Sequence, residues 1–358
     1  MTRYLKYITA AFLAVMLGAA ANAADPIRAA FVYVGPVSDH GWTYQHDQGR
    51  LAVEAALGDG VVTTFVENVA EGPDAERVIR QLAATGQDVI FTTSFGFMNP
   101  TVKVSEQFPD VTFSHATGYK RTDNLATYSS RFYEGRYVLG QIAGRMSESG
   151  IVGYVASFPI PEVVRGINAF MLGMQSINPD AQIKVVWVSS WFDPGKEGDA
   201  AKAMIDQGVD VITQHTDSPA PLRVAEERGV YAFGQASDMI AYAPNAQLTA
   251  IIDDWSGFYV SQVEAVRDGN WVSSDVWGGF NTGMVAMAPF TNMPDDVAAM
   301  AQATVDKISS GELHPFQGPL YNQEGEQVVA EGEIVDDGAL AGMNWYVKGI
   351  EDTLPSSN

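Results

Sequence analysis

The chain has 358 residues, 46% of them hydrophobic, which is enough to bury two cores of ordinary domain size. Its formal charge of −22 argues against nucleic acid, polyphosphate or anionic lipid as partners, because each requires a basic surface. With no cysteine, the sequence excludes disulfides, thiolate metal sites, a cysteine nucleophile and a lipid-modified cysteine at a mature N-terminus.

Residues 1–7 carry Arg3 and Lys6, residues 8–20 are almost wholly apolar, and Ala21, Asn22 and Ala23 supply a small-x-small cleavage pattern. The apolar run is about 13 residues, against about 20 needed to span a bilayer. We therefore expect a cleaved signal peptide over 1–23, no membrane insertion, and a free protein in a bacterial periplasm that is not a lipoprotein. Loss of Arg3 and Lys6 takes the formal charge from −22 to −24. The plain alternative is a cytoplasmic chain with an N-terminal core helix.

Residues 27–34 form a nearly uninterrupted apolar strand, followed by a loop over 35–44 and a helix through 48–57. The pattern continues with a strand at 61–66, a helix at 74–84, a strand at 88–93, a helix at 99–107 and a strand at 111–115. Alternating strands and helices of these lengths predict a parallel, doubly wound α/β sheet. Near Thr127 the order restarts: helix 134–146, strand 151–156, helix 161–174, strand 183–188, helix 199–206, strand 209–213, helix 219–227 and strand 230–233. A strand over 249–253 and a helix over 254–267 then recross to the first half, and the strand-rich stretch 271–287 returns.

The same helix, glycine and strand construction occurs at 75–94 and again at 198–216, about 120 residues later. Two matched lobes place the carboxyl ends of their strands on either side of a cleft, where ligands of open parallel sheets collect. The expected division is residues 24–128 plus 253–270 in lobe I and 129–252 plus 271–358 in lobe II. No Ser/Gly-rich linker separates them, so several crossing segments act as a hinge.

The run 31–44, the Phe95-Gly96-Phe97 segment, the stretch 191–197 and the paired Gly-x-Asp-Val-Ile strands at 86–90 and 208–212 together resemble the basic membrane protein (BMP) family. The resemblance covers essentially the whole mature chain. It implies a substrate-binding protein of an ABC transporter with a two-lobed type I periplasmic-binding-protein fold, in a family whose members bind purine nucleosides or bases. It also implies that Trp42 and Thr43 form the aromatic and polar pair of the first loop, with Phe192 stacking from the second lobe. The lysine that grips ribose in nucleoside binders has no counterpart here, where residues 251–255 read Ile251, Ile252, Asp253, Asp254 and Trp255. A free nucleobase such as adenine is therefore expected in preference to a nucleoside.

A flat heteroaromatic ring is held by aromatic faces and read along its edge by a few fixed polar groups. Trp42, Phe95, Trp191 and Phe192 fall in predicted loops after strands, although Phe95 and Trp191 suit core roles equally well. Ser94, Asp217, Ser218, Gln235, Asp238 and Asp253 follow strands and supply polar candidates. Asp217 with Ser218, and Ser237 with Asp238, also read as helix caps; Asp193 before Pro194 reads better as a cap than as a contact. His115 ends a strand and suits either a ligand contact or a structural role.

The sequence has no nucleophile elbow, P-loop or zinc-protease motif, and the spacing of His40 and His46 does not suit a tetrahedral metal site. Asp253 and Asp254 are adjacent in a strand and point to opposite faces. The reading is a monomeric binding protein without cofactor or catalysis, whose partners are a small molecule and a permease. A sugar-binding protein of the same fold, an exported nucleosidase or glycosidase and a receptor lobe for a membrane sensor are the alternatives.

Overall fold

The computed structural model describes residues 25–38 and 40–355; the expected signal peptide lies outside the described residues. The first half runs β1 (Ile27–Val32), α1 (Gly41–Leu57), β2 (Val61–Val66), α2 (Pro73–Ala84), β3 (Val89–Thr92), α3 (Met98–Ser105), β4 (Thr112–Ala116) and β5 (Leu125–Ser130). The second repeats it with α4 (Phe132–Met146), β6 (Ile151–Ala156), α5 (Pro161–Gln175), β7 (Gln182–Trp187), α6 (Pro194–Ile205), β8 (Val211–His215), α7 (Ala220–Arg228), β9 (Tyr231–Gly234) and β10 (Gln247–Asp253). The remainder is α8 (Ser256–Arg267), β11 (Asp275–Gly278), β12 (Val285–Met287), α9 (Asp295–Ser310), the hairpin strands β13 (Leu320–Tyr321) and β14 (Gln327–Val329), and α10 (Asp337–Ala341).

Two six-stranded sheets result, ordered β11-β5-β4-β3-β1-β2 and β12-β10-β9-β8-β6-β7. The first is wholly parallel, and the second is parallel except where β12 runs against β10. Central strands such as β1 and β3 bury every residue of their central stretch because helices cover both faces. This is the two-lobed α/β fold expected from the alternating pattern.

The chain passes between the sheets three times: after β5, after β10, and between β11 and β12. β11 pairs with β5 in the first sheet, so the expected start of lobe II at residue 271 falls before a strand that still belongs to lobe I. The run is short, and pairing partners, unlike strand character, leave no mark on local sequence. Helices α4 and α5 pack backbone to backbone in the second lobe. A Cβ at Gly140 would lie 2.0 Å from the Phe170 carbonyl oxygen, and one at Gly173 would lie 2.1 Å from that of Tyr137. The C-terminal segment covers the outer edge of the second sheet, where Ile350 bridges Ile183 and Asp352 accepts from the Val185 amide at 2.6 Å.

Candidate ligand-binding site

Because the strands of each lobe run parallel, their carboxyl ends and following loops face the cleft. Loops after β1, β3 and β4, with the first turn of α1, bring Val34, Trp42, Thr93, Ser94, Phe95 and Thr117 to a cleft whose empty space, open solvent included, is about 380 Å³. Across from them stand Glu162 after β6, Trp191 after β7, His215 and Asp217 at β8, and Gln235 after β9. Three aromatic rings thus come from both lobes, two from the first and one from the second.

The two indoles are held in place by their N–H groups. Trp42 lies in the first turn of α1, not in a loop, and its Nε1 donates to the Thr93 carbonyl at 2.6 Å while its ring packs edge-on to Trp255. Trp191 donates from Nε1 to Glu71 of the opposite lobe at 3.2 Å and leans on Phe158. The lobes also meet where the Gly41 amide, at the start of α1, donates to Ser237 Oγ at 2.7 Å.

Burial sets the charge state of the cavity's polar edge. The Asp217 carboxyl is pushed up to about 8, first by desolvation and then by the neighbouring Glu197 and Glu162, against the Trp42 amide that stabilises its anion. It therefore carries a proton at neutral pH and can both donate and accept. Desolvation also raises Glu162 and drives His215 well below its ordinary value, so that the imidazole, 3.8 Å from the Glu162 carboxyl, is neutral. Arg136, fully buried behind Gln235, donates to Gln214 O, Thr213 Oγ1 and Gln235 Oε1. A guanidinium only donates, so the Gln235 carbonyl oxygen must face it and the NH2 is left for the cavity.

Residues 27–314 match the model of the Bmp family, described as ABC transporter substrate-binding protein PnrA-like. The chain belongs to the Bmp family. A purine-binding protein of Brucella abortus is 60% identical over 340 residues, covering 95% of this chain and 97% of that protein. A Haloferax volcanii protein named as an ABC transporter glucose-binding protein, TsgA13, is 40% identical over 95% of this chain and 84% of its own length. A solute-binding protein of an Aeropyrum pernix ABC transporter has the same fold, with a TM-score of 0.70, 20% identity and coverage of 81% of this chain and 93% of its own.

Within this Bmp member, Trp42, Ser94, Phe95, Trp191, Asp217 and Gln235 are the expected residues that meet at the cavity. Thr43 is buried in a small adjoining recess with Trp42 and Asp217. Phe192 borders that recess and the outer mouth of the cleft and is 39% exposed. Gly96 contributes its amide, which donates to Glu71 at 3.0 Å.

Four expected residues stand away from the cavity lining. His115 lies in the floor of the first lobe, paired with Thr92 Oγ1 at 2.9 Å and pushed down to about 3 by burial. Ser218 donates to Glu197 at 2.6 Å, and exposed Asp238 accepts from the Ile240 amide and Gln247. Asp253 is fully buried where two crossings meet, accepting from Ser130 Oγ at 2.6 Å. Asp193 caps α6 through the Lys196 amide, ahead of Pro194, as its sequence context suggested. Val34, Thr93, Thr117, Glu162, His215 and Glu71 were missed, although all but Val34 obey the signal used for the others, a polar residue at or soon after a strand end.

Proposed function

We propose that this Bmp protein is the periplasmic receptor of an ABC importer, that it binds a purine between its lobes and that it delivers the purine to the permease. The observation that carries the reading is the cavity itself, lined by Trp42 and Phe95 of one lobe and Trp191 of the other, aromatic side chains of the kind that hold a planar ring. Its edge bears the protonated Asp217 carboxyl and the oriented Gln235 amide, complementary to ring nitrogens and exocyclic groups. The purine-binding Brucella relative, at 60% identity, supports the same ligand class.

A free base such as adenine is favoured over a nucleoside. No lysine or arginine is among the described residues lining the cavity, and Ile251 and Trp255, at the late strand where a ribose-binding lysine was expected, are buried in the lobes. Binding closes the lobes about the three crossings and shifts the population toward the form that the permease recognises. The protein acts as a monomer, without cofactor, and leaves its ligand chemically unchanged.

Glucose is the second reading, favoured by the name of the 40% identical relative. Titration calorimetry with adenine, guanine, hypoxanthine, adenosine and glucose separates the two. Heat from a base with none from glucose is expected; binding of glucose alone overturns the purine reading, and product found by chromatography overturns the non-enzymatic one.

A further inference from the structure

We propose that Glu71 is a positioning residue that sets the orientation of the Trp191 ring and latches the lobes around the ligand. The inference rests on the purine reading only in the choice of probe.

Glu71 lies in the loop between β2 and α2 of the first lobe. Its Oε1 accepts from Ser94 Oγ at 2.5 Å, from the Gly96 amide at 3.0 Å and from Trp191 Nε1 at 3.2 Å. The first two donors belong to the loop after β3 in the same lobe, so the carboxylate is held in place before the second lobe arrives. That loop is shaped to the carboxylate: a Cβ at Gly96 would lie 2.2 Å from Glu71 Cδ, so any other residue would displace it.

The third donor crosses the cleft. Nε1 is the single polar atom of the Trp191 side chain, so this bond is the one directional contact that orients the indole about its stem. Its aromatic neighbours within the second lobe, Phe158 and His215, meet it at tilts of 56° and 55°, contacts that leave its N–H to Glu71. The ring that Glu71 orients is the second lobe's aromatic wall of the cavity. The bond exists only when the lobes are together, so it stabilises the closed arrangement. It therefore slows opening, and with it the release of an enclosed ligand.

The test is a double-mutant cycle with Glu71→Ala and Trp191→Phe, the latter keeping a flat ring while removing the N–H. Adenine is the probe, with dissociation followed by stopped-flow fluorescence and the melting temperature of the unliganded protein as a fold control. Each single variant is expected to release adenine about 3- to 10-fold faster, the double variant no faster than the worse single, and Glu71→Gln to fall between Glu71→Ala and the parent. Effects that multiply in the double variant, or a release rate unchanged by Trp191→Phe, overturn the proposal. Should the parent bind glucose and no purine, the ligand reading fails while the same cycle run with glucose still decides the latch.

Discussion

Replacing Gln235 by glutamate, which is nearly isosteric, inverts one hydrogen-bonding group of the cavity. In the native protein Arg136 holds the Gln235 Oε1, so the amide presents N–H to the ligand. A carboxylate in the same position would pair with the guanidinium and turn an oxygen lone pair toward the ring nitrogen that the amide served. The hydrogen bond is lost and two acceptors face one another, which costs about 1–3 kcal/mol, or about 5- to 150-fold in Kd for adenine. Stability should hold or rise, because the other hydrogen-bond partners of Arg136, Thr213 Oγ1 and Gln214 O, are neutral. Titration calorimetry with a parallel thermal melt measures both quantities. An unchanged Kd in a folded variant would refute the assignment of the amide as a donor to ligand.

Trp42→Ala should weaken adenine binding by about 5- to 150-fold, the worth of about 1–3 kcal/mol for one stack, whereas Phe192→Ala at the cleft mouth should change Kd less than about threefold; comparable losses would place the second stacking partner at Phe192. Asp217, raised from 3.8 to about 8, keeps in the folded protein a proton that the unfolded chain releases between those values. Its share of stability therefore falls as pH rises, by up to about 1.4 kcal/mol per unit. Urea titrations from pH 5 to pH 8 should show a shallower decline in Asp217→Asn than in the parent, and parallel curves would count against the raised value. Gly140→Ala drives a Cβ against the Phe170 carbonyl and should lower stability by about 1–3 kcal/mol in urea, with ligand affinity retained once folded.

The fold was legible because its signals are local. Each buried strand, such as β3 or β8, is a short apolar run behind an amphipathic helix, and the repeated order of these units specifies parallel sheets in two lobes. Boundaries moved where the signal was weak. α1 begins at Gly41, seven residues before its apolar repeat becomes regular, which carries Trp42 and Thr43 from a loop into a helical turn. α6 begins at Pro194, because the Asp193 cap and the proline outweigh an unremarkable helical stretch.

By itself the sequence determined the two-lobed α/β architecture and the pool of strand-end residues from which a site could be drawn, because periodicity and turn chemistry act over a few residues. Only the tertiary structure decided which of that pool share one space. Strand order puts Glu162 and His215 opposite Phe95 and assigns β11 to the first sheet. It also consumes Asp238 and Ser218 in hydrogen bonds within their own lobe. Whether a side chain faces ligand depends on partners tens to hundreds of residues away, as between Glu71 and Trp191 or Arg136 and Gln235, and on the desolvation that those partners bring.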